Sequence, residues 1–203
     1  MRGIFVTFEG PDGCGKSTIT GLVYEKLKLK YDIIRTREPG GTVISEKIRD
    51  IILDVENASM TYRTEALLYA ASRAQHVEEK IIPAVNNGKI VLCERFVLSS
   101  IAYQGYGRGL GEDSIRMIND FATGGLVPDI TFLFDMKGQS SVDRKIELGG
   151  DRLEISGDDF HNRVNKAYED LKSRNDFYII DATRSIEEVL DEVLGILMKV
   201  LEG

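Results

Sequence analysis

A chain of 203 residues with 26 basic and 33 acidic side chains carries a net charge of −7. That length suits one domain with a substantial core, and the acidic balance runs against a nucleic-acid binder, which needs a basic face. The cysteines, Cys14 and Cys93, offer neither a zinc spacing nor a disulfide framework, so a reducing cytoplasm is the expected compartment; the apolar run Ile4-Phe5-Val6 is too short for a signal peptide or a membrane span.

The predicted elements alternate. A strand over 4–8 leads into a Gly-rich turn and a helix from Gly15 to about Lys30. A strand over 32–36 precedes a helix over 43–53. A long helix over 62–85 carries Leu67, Ala70, Ala71, Ala74, Val77, Ile81 and Val85 as an apolar stripe. Strands follow at 89–93 and 130–134. A segment at about 138–157, rich in Gly, Ser and charge, is the candidate lid. A helix over 156–172 places Phe160, Val164, Ala167 and Leu171 on one face, and a strand follows at 177–180. The last helix begins at Ser185, where Ser185-Ile186-Glu187-Glu188 fits a capping box.

Short, near-continuous apolar strands alternating with helices predict a parallel α/β sheet covered on both faces, with right-handed crossovers. Ligands in such sheets sit beyond the C-terminal strand ends. Residues 12–17, Arg37, Glu38, Glu94, Arg95 and Asp135 all fall there. With no repeat and no boundary, residues 1–203 form a single expected domain.

Gly10-Pro11-Asp12-Gly13-Cys14-Gly15-Lys16-Ser17 fits G-x-x-x-x-G-K-[ST] in full, between a strand and a helix. Glycines let the backbone N–H groups close round phosphate oxygens at a helix N-terminus. These residues, with Thr18, are the candidate ATP-binding set. Lys16 is expected to reach the β- and γ-phosphates, and the Ser17 hydroxyl to ligate Mg²⁺. A phosphate loop alone does not separate kinases, GTPases and motors. No Asn-Lys-x-Asp tetrapeptide of a GTPase occurs, and Asp135 stands alone where a motor would carry paired acids. Arg37, Arg73 and Arg95, near strand ends or on the cleft-side helix, suit a second phosphate or base-edge site.

Phe8-Glu9-Gly10, Arg37-Glu38-Pro39-Gly40-Gly41-Thr42, Glu94-Arg95-Phe96, Ala102-Tyr103-Gln104-Gly105, Arg152-Leu153-Glu154 and Phe160-His161-Asn162-Arg163-Val164 occur in an order that resembles the thymidylate kinase family over almost the whole chain. The resemblance implies a three-layer P-loop NTPase fold: a five-stranded parallel sheet flanked by helices, with a short lid. It implies phosphorylation of dTMP to dTDP by ATP with Mg²⁺, in a cytoplasmic homodimer that takes no nucleic acid and no membrane. Tyr69 would stack on thymine and Arg73 read a base carbonyl, since i and i+4 share a helix face. Arg95 would hold the acceptor phosphate, with Glu94, where the family usually has Asp, organising phosphates and metal. Asp12 would meet the sugar 3′-hydroxyl and Tyr103 crowd a 2′-hydroxyl. Arg37, Glu38, Ser100 and Gln104 complete the acceptor set. Family members that lack an arginine in the phosphate loop carry the catalytic cation in the lid. Gly13 occupies that loop position here, so Arg144, with Lys145 and Arg152 near it, fits the lid-arginine type. The expected catalytic set is Lys16, Glu94, Arg95 and Arg144. Two alternatives remain open at this level: a P-loop kinase for another nucleotide or nucleoside, and a nucleotide-dependent switch with no acceptor chemistry.

Overall fold

The computed structural model describes residues 2–137, 151–174 and 176–202. In chain order the elements are β1 (Phe5–Glu9), α1 (Lys16–Leu27), β2 (Ile33–Arg37), α2 (Val43–Leu53), α3 (Tyr62–His76), α4 (Ile82–Asn86), β3 (Ile90–Glu94), α5 (Val97–Ser100), α6 (Glu112–Thr123), β4 (Ile130–Asp135), α7 (Asp158–Lys172), β5 (Tyr178–Asp181) and α8 (Ile186–Glu202). The strands form one sheet of order β2-β3-β1-β4-β5, and every described pairing is parallel.

Each strand runs one residue further than its apolar run predicts. The extra residues are Glu9, Arg37, Glu94, Asp135 and Asp181, and all still pair in the ladder. They are polar because they end the strands at the rim where ligands bind in such sheets.

Alternation along β1 divides the core. Val6 and Phe8 point to the side covered by α1 and α8, packing with Ile19, Val23, Leu92, Phe132, Val193 and Leu197. Phe5 points to the other side with Val77, Ile81, Val85 and Phe96. A third cluster joins Leu98, Ile101 and Ile115 to Phe160, Val164 and Leu171 of α7. The capping box at Ser185 forms in both directions: the Glu188 N–H donates to the Ser185 hydroxyl at 3.3 Å, and the Ser185 N–H donates to Glu188 Oε2 at 3.0 Å.

Two expectations change. The long helix runs without a break from 62 to 86, but its geometry changes where α3 passes through a π-helical turn, Val77–Ile81, into α4. Its buried face also differs from the apolar stripe. Leu67 and Ala71 are exposed, while Glu65, Ser72, Arg73 and His76 are buried beside Ala66 and Ala70. A helix face turned toward a polar site buries hydrogen-bonding side chains, which a purely apolar pattern misassigns. The segment between β3 and β4 held no predicted helix, yet it forms α5, a π-helical extension over Ile101–Gly107, and α6. Gly105 and Gly107 disguise the first, because glycine disfavours a regular helix. The end of α6 was marked by Gly124, which closes it at φ 59°.

Gly107 brings α7 close: a Cβ there would lie 2.7 Å from the Phe160 ring and 2.8 Å from Val164. Gly107→Ala is expected to lower stability by about 1–3 kcal/mol through overpacking, measured as a fall in the urea midpoint at unchanged m-value.

Candidate functional site

Beyond the C-terminal ends of β1, β2 and β3 lies a cleft of about 400 Å³. Its floor is the phosphate loop. Gly10 has φ 138°, and a Cβ there would meet the Phe134 carbonyl at 2.7 Å; Gly15, the N-cap of α1, has φ 85° and makes no side-chain cap. Both conformations favour glycine and leave the first α1 N–H groups facing the loop's concave side. The Lys16 ammonium is buried and donates to the carbonyls of Gly10 at 3.0 Å and Pro11 at 2.6 Å. Burial pushes its pKa down, and the charge of Arg95 adds to this.

The second feature grows from the end of β3. Glu94 closes the strand and Arg95 turns the chain at φ 64°, a left-handed conformation rare for a residue with a side chain. Strain of that kind persists where neighbours over-determine it, and here they do. Phe96 N–H donates to Glu9 Oε1 at 2.8 Å, and the Ser99 hydroxyl donates to Glu9 Oε2 at 2.5 Å. Burial raises the pKa of Glu9, while the Ser99 bond, Arg95 and the Phe96 N–H counter the rise. The Arg95 guanidinium then spans four groups. Nη1 donates to Gly10 O at 3.1 Å and Ser99 Oγ at 3.0 Å, and Nη2 to Asp12 Oδ1 at 2.7 Å and the Tyr103 hydroxyl at 3.3 Å. Tyr103 in turn donates to Asp12 Oδ2 at 2.5 Å. A guanidinium therefore lies directly beside the phosphate loop.

The third wall is α3. Arg73 and Tyr69 both line the cleft, as their spacing predicts. Arg73 is 2% exposed and held on all three nitrogens: Nε donates to Glu38 Oε2 at 2.6 Å, Nη2 to Phe96 O at 2.9 Å, and Nη1 to Ser100 Oγ at 3.0 Å and to Asn119 Oδ1. Burial, followed by the charge of Glu65, pushes the pKa of Tyr69 up, so its ring stays neutral at physiological pH. Glu38 sits behind Arg73 and is joined to Pro39 by a cis peptide bond; its other oxygen meets His76 Nδ1 at 2.9 Å. Glu38, His76 and Cys93 bring possible ligand atoms within 4.8 Å of one another. Both Glu38 oxygens are taken, however, and His76 Nε2 meets the Thr36 hydroxyl at 2.7 Å, so the cluster is a hydrogen-bond relay behind Arg73. Gln104 lines the cleft while its amide donates to buried Glu65 at 3.0 Å. Arg37 stands at the rim, half-exposed and paired with Glu46 at 2.9 Å.

The oxygen donors suited to a hard divalent ion are Ser17 and Glu94. Ser17 Oγ donates to Glu94 Oε2 at 2.5 Å, at the foot of the phosphate loop, which fits the donor set of Mg²⁺.

Arg144 and Lys145 lie outside the described residues. Arg152 is described and is buried: Nε donates to Ile52 O at 2.8 Å and the guanidinium pairs with Glu65 at 2.7 Å. Its neighbours Asp151, Leu153 and Glu154 line the cleft. Sequence reasoning missed these three, along with Arg49, Ser99 and the supporting roles of Glu9 and Glu65. Glu9 carried a readable signal as an acid ending an otherwise apolar strand. Nothing local marked Glu65.

The family model for thymidylate kinase matches residues 8–193. The chain belongs to the thymidylate kinase family. It is 55% identical to the thymidylate kinase of Finegoldia magna over 97% of this chain and 98% of that protein. With the Bacillus licheniformis thymidylate kinase it shares 46% identity over 100% and 98%. The crystal structure of the Ehrlichia chaffeensis thymidylate kinase superposes with a TM-score of 0.79 at 32% identity, covering 98% of this chain and 99% of that one. The α/β sheet described above is the P-loop fold of that family, and the enzyme class is that of a nucleoside-monophosphate kinase.

Arg73→Ala removes the cation from a pair in which Glu38 is 3% exposed. A buried carboxylate left without its partner costs about 3–5 kcal/mol. A large drop in melting temperature is expected, measurable by scanning calorimetry, alongside any loss of acceptor binding.

Proposed function

We propose that this chain transfers the γ-phosphoryl group of ATP to the phosphate of dTMP, giving ADP and dTDP. The observation that carries the reading is Arg95, which places a guanidinium 2.7 Å from Asp12 of the phosphate loop. A simple nucleotide switch has no need of a second anion anchor there. Family membership supports thymidylate as the acceptor, and the cleft supplies suitable walls.

In this mechanism Lys16 leaves the loop carbonyls for the β- and γ-phosphates, while loop N–H groups of Gly10 and residues 12–18 hold the donor, Pro11 having none to give. Ser17 and Glu94 would hold Mg²⁺, which would supply charge neutralisation at those phosphates. Arg95 grips the acceptor phosphate, with Arg37 at the rim. Tyr69 stacks on the base and Arg73 meets its edge. Glu38 and Ser100 keep Arg73 in place, and Gln104 closes the base side. Asp12 accepts from the 3′-hydroxyl, and Tyr103 crowds a 2′-hydroxyl. The acceptor oxygen is already anionic at neutral pH, so no general base is needed. Rate comes from alignment and charge stabilisation. Residues 1–203 act as one kinase domain whose lid, at about 138–157, delivers Arg144. Arg152 is held by Glu65 and serves as the fixed root of that lid.

ADP release is expected to depend on dTMP in a coupled assay, with other nucleoside monophosphates poorer by about tenfold or more. Lys16→Met should abolish release without changing the circular dichroism spectrum. Release equally fast with another acceptor would reassign the substrate, and ATP binding without release would leave a switch.

The enzyme is proposed to act in the cytoplasm as a homodimer. No helix of the described residues is long and apolar enough to cross a membrane. The neighbouring helices α2, α3 and α6 leave Val43, Ile44, Leu67, Met117 and Phe121 exposed, Phe121 at 91%. Large apolar side chains concentrated on one layer mark an interaction surface. Phe121→Glu is expected to shift the mass measured by light scattering from dimer toward monomer.

A further inference from the structure

Arg35 has no part in the cleft just described, yet it is bonded to two of its members. It sits on the edge strand β2, opposite Leu92 of β3. From there its side chain runs toward the strand ends. Nη2 reaches Glu94 Oε1 at 2.6 Å and Nε reaches the same oxygen at 3.1 Å. Nη2 also donates to the Ser17 carbonyl at 3.1 Å. The other carboxylate oxygen, Oε2, is left to the Ser17 hydroxyl at 2.5 Å. The guanidinium lies against α1 at Gly21, where a Cβ would come within 3.1 Å of Nη1.

This arrangement does little for folding. Arg35 is 38% exposed and Glu94 12%, and pairs that reach solvent contribute little to stability. What the contact does is geometric. A glutamate has one more rotatable bond than an aspartate, so its carboxylate can swing away from a metal site that aspartate would serve by default. Arg35 removes that freedom by occupying one oxygen. Through the Ser17 carbonyl it also ties the end of β3 to the first turn of α1.

We infer that Arg35 is a positioning residue that fixes Glu94 so that Oε2 stays against the Ser17 hydroxyl, where the two oxygens together take Mg²⁺. The inference rests on the proposed role of Ser17 and Glu94 as the metal pair. Partners of metal ligands typically change metal affinity 10- to 100-fold when removed.

The test is a MgCl₂ titration of the full chain with adenylyl-imidodiphosphate, followed by calorimetry without dTMP, so that no turnover enters the readout. In Arg35→Met the Mg²⁺ concentration that half-maximally tightens analogue binding should rise roughly tenfold. Binding of dTMP alone should stay within about twofold, because Arg35 does not line the acceptor side. Glu94→Gln should raise the Mg²⁺ requirement, and adding Arg35→Met to it should raise it no further. A parental titration for Arg35→Met, with Glu94→Gln still shifted, overturns the positioning role and leaves the metal pair standing. If Glu94→Gln titrates like the parent, the metal assignment fails and the inference with it. A shift by Arg35→Met that persists in full on the Glu94→Gln background also overturns it, since Arg35 would then act through another group.

Discussion

The site depends on the turn after β3. Arg95 adopts a left-handed conformation, and its guanidinium gathers the phosphate-loop carbonyl of Gly10, Asp12, Ser99 and Tyr103. Those groups come from the phosphate loop and the helical segment after β3. None is adjacent in sequence to all the others. A planar fork with several fixed N–H directions can satisfy them together, where a lysine ammonium could not. The cost of the backbone conformation is offset by Glu9, which accepts from Phe96 N–H and from Ser99 on either side of the bend. The phosphate loop and the turn after β3 are thereby held at one separation, and phosphoryl transfer, the reaction of this family, needs alignment more than it needs a base.

Around this turn the cleft is lined by groups already committed to protein partners. Lys16 rests on carbonyls, Arg73 on Glu38 and Ser100, and Gln104 on Glu65. Buried polar networks of this kind are stable only when every member is satisfied. The relay from Thr36 through His76 and Glu38 fixes the Nε side of Arg73, while Ser100, Asn119 and the Phe96 carbonyl hold its other nitrogens. Rigidity behind the first layer is what makes a site of this type selective, because a preorganised group loses little freedom when ligand arrives.

Glu65 follows the same logic. Wholly buried, it receives Gln104 from the helical segment after β3, Arg108 from its end and Arg152 from the turn before α7. Arg108 also stacks over Phe160 at 4.1 Å. One carboxylate thus ties α3, the segment after β3 and the chain leading into α7 together at the side of the cleft.

Local chemistry was enough to determine much of this protein. The phosphate loop is legible because its function demands glycines and a lysine at fixed neighbouring positions. The inner strands are legible because a sheet covered on both faces is largely apolar, whereas the edge strand β2 carries Arg35 at its middle and every strand ends on a polar residue. Tyr69 and Arg73 are legible because one helix sets their geometry. Other features were decided by the tertiary structure. The buried face of α3 carries Glu65, Arg73 and His76 because the partners that satisfy them arrive from distant segments. The π-helical segment Ile101–Gly107 packs against α7 through Gly107, a contact between distant elements. The pairing of Arg35 with Glu94 exists only because β2 lies beside β3 in the sheet. Spacing along a chain fixes neighbours on one element, whereas contacts between elements depend on strand order and register, which no local pattern encodes.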